Sequence, residues 1–111
     1  MDIQTKERIE RIRDLNDAFR RTFSGGKMTC GVAELPDMVK ARALQFVATF
    51  DQFTEDSDPH GEHDFGSFEL VNRKFFWKID YYDERCEFGS EDPSDPKQTT
   101  RVLTLMLAEE Y

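Results

Sequence analysis

The chain has 111 residues, with 23 acidic side chains against 15 basic ones and a net charge of −8. That length supports one hydrophobic core rather than two, and ten Phe, one Trp and a 38% hydrophobic content suffice to fill it, which excludes a disordered tail. No stretch reaches the roughly 18 to 20 apolar residues of a bilayer crossing, and Cys30 and Cys86 are too few for a disulfide framework. The expectation is a single domain over 1–111, cytoplasmic, with free thiols and no membrane partner.

The first segment carries Ile9, Ile12, Leu15, Phe19 and Phe23 at three- and four-residue steps, which predicts an amphipathic helix over 3–23. Ser24-Gly25-Gly26 ends it, because glycine accepts the left-handed conformation of helix ends. Lys27 to Val32 is short and compatible with a strand. Pro36 suits the start of a second helix over 36–51, whose stripe is Val39, Ala43, Phe46, Phe50 and Phe53.

Thr54 to Asp64 is polar throughout and reads as a loop. Phe65 to Val71 and Lys74 to Asp83 are rich in aromatic and branched residues, so an antiparallel hairpin over about 64–83 is expected, reversing at Asn72-Arg73. Alternation puts Phe75, Trp77, Ile79 and Tyr81 on the face that meets the helices and Phe76, Lys78, Asp80 and Tyr82 on the other. After two Asp-Pro turns, Asp95 as N-cap, Pro96 and a capping-box Gln98 predict a third helix over 96–109. Its inner face would be Thr99, Val102, Leu103, Met106 and Leu107. The fold class is therefore α+β, a small antiparallel sheet built on the central hairpin and packed against two or three helices.

Charge is placed unevenly along the chain. From Asp51 to Asp95 fourteen acidic residues face four basic ones, a balance of −10, while the remainder sums to +2. A field of that sign repels nucleic acid and attracts basic surfaces. Five arginines on the first helix, Arg8, Arg11, Arg13, Arg20 and Arg21, interleave with Glu7, Glu10, Asp14 and Asp17, the pattern of a solvated face with local ion pairs.

Catalytic constellations are weak. Cys86 is flanked by Asp83, Glu84 and Glu87, and neighbouring negative charge suppresses a reactive thiolate. His60, Glu62, His63 and Asp64 offer imidazole and carboxylate donors acceptable to zinc, manganese or iron, but they lie in a loop with no helix to aim them. No enzyme activity and no cofactor are expected. Recognition is better served by Asp80, Tyr82, Asp83, Glu87, Glu91 and Asp92, where carboxylates flank a ring at the end of the hairpin, since aromatic residues are enriched at binding hot spots.

The strings Glu62-His63-Asp64-Phe65-Gly66-Ser67-Phe68, Phe76-Trp77-Lys78-Ile79-Asp80-Tyr81-Tyr82-Asp83, Gly89-Ser90-Glu91-Asp92-Pro93 and Thr100-Arg101-Val102-Leu103-Thr104 together resemble an uncharacterised bacterial family of short proteins, a domain of unknown function. The likeness runs from Gly26 onward. It implies a bacterial origin, with genes often on plasmids or other mobile elements, and it assigns no activity, cofactor or catalytic residue. An Asn-Gly hairpin turn is expected of that family, where this chain has Asn72-Arg73.

The resulting expectation is a non-enzymatic acidic protein that binds a basic surface of another macromolecule, such as the nucleic-acid groove of a host nuclease. The mobile-element setting points to a defence antagonist of the anti-restriction or anti-CRISPR type. The alternative is a metal-binding or hydrolytic domain using the loop from His60 to Asp64, and a homodimer joined through the hairpin is a third possibility.

Overall fold

The computed structural model describes residues 2–22 and 26–111. In chain order it has helix α1 (Ile3–Thr22), strand β1 (Gly26–Met28), a single-turn helix α2 (Cys30–Ala33), helix α3 (Asp37–Thr49), strands β2 (Phe65–Leu70), β3 (Arg73–Tyr82) and β4 (Thr100–Leu107), and a terminal 3-10 turn (Ala108–Glu110). The four strands form one sheet in the order β1-β4-β3-β2. β2, β3 and β4 are antiparallel neighbours, and β1 adds to β4 in parallel. The architecture is α+β, as expected, but the sheet is mixed rather than antiparallel throughout.

The predicted third helix is a strand. Asp95 does cap a turn at the expected place: its Oδ1 accepts the Lys97 N–H at 2.9 Å, and the Gln98 amide reaches back to its Oδ2 at 2.8 Å. This turn does not propagate. Thr99, Thr100 and Val102 lose side-chain freedom in a helix and pack well on a pleated surface. Leu103, Leu105 and Leu107 repeat at the strand period and are all buried, pairing with Ile79, Trp77 and Phe75 of β3.

Other boundaries moved for local reasons. Of the segment from Lys27 to Val32, only Lys27 and Met28 lie in a strand, since α2 begins at Cys30. The hairpin reverses at Val71-Asn72, not Asn72-Arg73, because Leu70 pairs with Arg73. Both loop residues have positive φ, 50° and 61°, the signature of the two-residue turn whose twist matches the flanking strands.

The core lies between the inner face of the sheet and the helices. Val32, Ala43 and Val47 meet Phe75, Trp77, Ile79, Leu103, Leu105 and Leu107, and Phe19, Phe50, Phe53 and Phe68 pack around them. Burying each large apolar side chain of this kind stabilises the fold by about 1.5–3 kcal/mol. Gly66 of β2 is fixed by this packing: a Cβ there would lie 2.7 Å from Trp77 Cε2 and 2.9 Å from Phe50 Cε1. Phe76 and Tyr82 lie on the opposite face, both half-buried. There the Tyr111 ring packs edge-on against Phe76 and Phe65.

Helix α1 departs from its predicted stripe. Its buried residues are Ile12, Asn16 and Arg20, a single ridge of four-residue steps, two of them polar. Phe19 packs only at the margin of the core, while Phe23, Ser24 and Gly25 lie outside the described residues. Arg20, grouped by sequence with the solvated arginines, is 5% exposed, donates to the Val47 carbonyl at 2.7 Å and covers the Phe53 and Trp77 rings. No described helix is long and apolar enough to cross a membrane.

Candidate functional site

Two places gather polar side chains: a half-buried centre under α1, and an acidic loop after β3. The centre starts from Asp58, a buried carboxylate whose Oδ1 accepts the N–H of Glu62 at 3.1 Å and whose Oδ2 accepts that of His63 at 3.2 Å. These bonds fold the loop so tightly that Gly61 and His63 both take positive φ, 70° and 57°. The loop then enters β2 with its side chains divided between two directions.

His60 is exposed. His63 stacks flat on Phe53, with centroids 3.7 Å apart, and its Nδ1 lies 3.0 Å from Asp17 of α1. Glu62 and Asp64 turn instead to Tyr81, whose hydroxyl donates to Glu62 Oε1 at 3.0 Å and lies 3.5 Å from Asp64 Oδ2. The loop thus sends its two imidazoles to different places. Among the described residues no three histidine, cysteine, aspartate or glutamate side chains converge to hold a metal ion.

Three residues that sequence reasoning did not single out complete this centre: Asn16, Tyr81 in its polar role, and Arg101. The Asn16 amide, fully buried, donates to the Glu62 carbonyl at 2.9 Å and to the Tyr81 hydroxyl at 2.7 Å. Its Oδ1 accepts from Arg101 Nε at 2.7 Å. Arg101 lies over the Tyr81 ring and donates also to the Pro93 carbonyl. Burial raises the Asp64 carboxyl above its ordinary value, reinforced by the charges of Glu62 and Asp58. Burial also pushes the Tyr81 hydroxyl up, with Asp64 adding to it, and moves the Arg101 guanidinium down. The alternation of β3 placed Tyr81 inward, but partners 65 and 85 residues away from Asn16 leave no local signal.

The acidic loop is a built structure as well. Asp83 Oδ1 accepts the N–H groups of Arg85 at 3.1 Å and Glu87 at 3.0 Å, its own N–H donates to the Phe88 carbonyl, and Tyr82 bridges to Gly89. Asp92 accepts from the Ser94 backbone at 3.1 Å and from Arg8 Nε at 3.3 Å. The Ser94 bonds draw its carboxyl below the ordinary range. Asp80 pairs with Lys78 at 3.1 Å. Three of the six residues expected to face a partner, Asp80, Asp83 and Asp92, are therefore engaged within the chain.

Of the other three, Glu91 lies beside a side chain the sequence reading passed over. Asp83, Glu84, Arg85, Phe88, Glu91 and Gln98 line an open cleft of about 430 Å³, and Phe88 is 72% exposed. Glu87 is exposed beside it, whereas Tyr82 stands half-buried on the outer sheet face. A lone phenylalanine between Glu87 and Gly89 in a loop without another aromatic residue was the available signal. Cys30 and Cys86 are both free and exposed.

No curated protein and no solved structure matches the chain. One family match begins at Met28, the last residue of β1, and ends in the terminal turn, taking in the acidic loop, the loop and strand residues of the polar centre, and the whole of α2, α3, β2, β3 and β4. On residues 28–110 the chain matches the family described as Protein of unknown function (DUF3768), and it belongs to that family.

Proposed function

We propose that the protein is a non-enzymatic binding module of the bacterial cytoplasm that docks on a basic surface of another macromolecule through the loop from Asp83 to Asp92. The observation that carries this reading is the exposed Phe88 ringed by Asp83, Glu84 and Glu91 in one cleft. An aromatic anchor surrounded by charge is the usual anatomy of an energetic hot spot, with the ring supplying affinity and the carboxylates steering approach. A net charge of −8 adds long-range attraction to a cationic partner.

A nuclease groove that normally receives phosphates is a surface of this kind. A mobile-element protein filling it would protect incoming DNA from restriction or CRISPR cleavage. Tyr82 and Glu87 extend the contact beyond the cleft.

The test is competition against nucleic acid. Restriction and CRISPR nucleases are assayed for DNA binding with the wild-type protein, Phe88→Ala, and Glu87→Lys combined with Glu91→Lys. These exposed positions are preferred to Asp92, whose reversal would break the turn it caps. Support is inhibition that weakens as salt rises and is lost in both variants. Inhibition that survives charge reversal, or that ignores salt, counts against the reading.

A further inference from the structure

The family match covers residues 28–110 and leaves α1 outside it, yet α1 closes the polar centre that the matched residues build. Its buried contribution is made by one ridge, flanked by Asp17, which faces His63, and by Phe19 at the margin of the core. Ile12, Asn16 and Arg20 are its only buried residues among those described, spaced by four. The surface that receives them offers hydrogen-bond partners at each step beyond Ile12, with aromatic rings added at Arg20. Glu62 O and Tyr81 Oη accept from the Asn16 amide, Arg101 Nε donates to its oxygen, and the Val47 carbonyl accepts from Arg20.

One donor set against two acceptors matches a carboxamide in a single orientation. A carboxylate in that place would face Glu62 and Asp64, and an aliphatic side chain would leave Arg101 and Tyr81 with fewer partners. Phe53 and Trp77, sheltered under the Arg20 guanidinium, continue the groove. Its specificity is that of a receptor for a helix with the pattern Ile-x-x-x-Asn-x-x-x-Arg.

We propose that residues 26–110 form a helix-receiving module and that α1 is its tethered ligand, docked through Asn16 and releasable without unfolding the sheet. Tethering keeps the local concentration of α1 high, so the groove stays filled in the isolated chain. A second helix of the same pattern is the class of partner that would displace it. This assignment is independent of the acidic cleft.

The probe is a labelled synthetic helix of residues 2–22, offered to full-length protein carrying Asn16→Ala, in which the tethered helix is weakened. The expected result is binding of the wild-type peptide at least about tenfold tighter than of the same peptide with Asn16→Ala. A change in Trp77 emission should accompany it, since Trp77 is the sole tryptophan and lies under Arg20. Equal binding of the two peptides, or none, overturns the proposal. Should that protein variant not fold, amide exchange on the wild-type chain decides. Central α1 amides exchanging well ahead of those of β3 and β4 support release, and exchange of both at a common rate refutes it.

Discussion

Asn16 of α1 and Arg101 of β4 meet through a 2.7 Å hydrogen bond that ties the first helix to the last strand. The Asn16 amide then passes the contact on to Tyr81 and Glu62, so one neutral side chain on α1 satisfies groups from three other parts of the chain. Replacing it with alanine removes one bond each from the half-buried Arg101 guanidinium and Tyr81 hydroxyl, which keep Pro93 and Glu62 as partners, and takes the amide donor from the Glu62 carbonyl. We expect Asn16→Ala to cost about 2–4 kcal/mol in urea denaturation, more than substitutions elsewhere on α1. A loss within experimental error would show that water replaces these bonds without penalty.

Asp64 should behave in the opposite sense. Its carboxyl is raised above 3.8, mainly by burial and then by Glu62 and Asp58. The folded state therefore holds a proton that the unfolded state has released, and stability falls as pH rises through that interval. Asp64→Asn should raise Tm at neutral pH, with the advantage shrinking as pH is lowered toward 3.8. Thermal melts across that range check it, and an advantage that does not vary with pH would disprove the electrostatic origin.

Glu110 supplies the mirror case. Its carboxylate accepts from the Thr29 hydroxyl and from the N–H groups of Leu107 and Gly31, and these bonds lower its pKa from 4.5. A lowered carboxyl contributes stability that is present above its unfolded value and is lost as pH falls through the folded one. Glu110→Gln should lower Tm at neutral pH and converge with the wild type in acid.

The hairpin turn holds a β-branched residue where such residues fit poorly. Val71 has φ of 50° and an exposed side chain, so little packing offsets the strain. Val71→Asn should stabilise the protein by about 1 kcal/mol, seen as a shift of the urea midpoint at unchanged slope. No gain would mean that the turn relaxes differently from the geometry described.

Gly66 should tolerate nothing larger. The 2.7 Å approach to Trp77 Cε2 and 2.9 Å to Phe50 Cε1 leave a methyl group no space. Gly66→Ala should therefore destabilise by about 1–3 kcal/mol, with Trp77 fluorescence altered even in the folded state.

The hairpin and the inward set Phe75, Trp77, Ile79 and Tyr81 were legible because alternation is a local property of the strand. The last strand was not. Val102, Leu103, Met106 and Leu107 satisfy helical spacing as well as strand spacing, and the Asp95 cap tipped the reading toward a helix although it closes only one turn. Sheet partners 20 or more residues away decided the matter, and local propensity carries no trace of them. For the candidate sites, charge density marked the acidic loop but not which carboxylates were consumed by Lys78, Arg8 and the turn at Asp83. Asn16 and Arg20 sit on a helix otherwise rich in charge, so their burial was hidden among residues of similar type.

The position of β4 second in the sheet, between β1 and β3, also sets the order of assembly. A nascent chain emerging from the ribosome can form the β2–β3 ribbon early, but β1 has no neighbour until Leu103 to Leu105 have been made. Early-made segments must wait for late ones. A premature stop before Thr100 would leave β1 without its partner strand and α2 without its main support, although α1 could still meet α3 and β3.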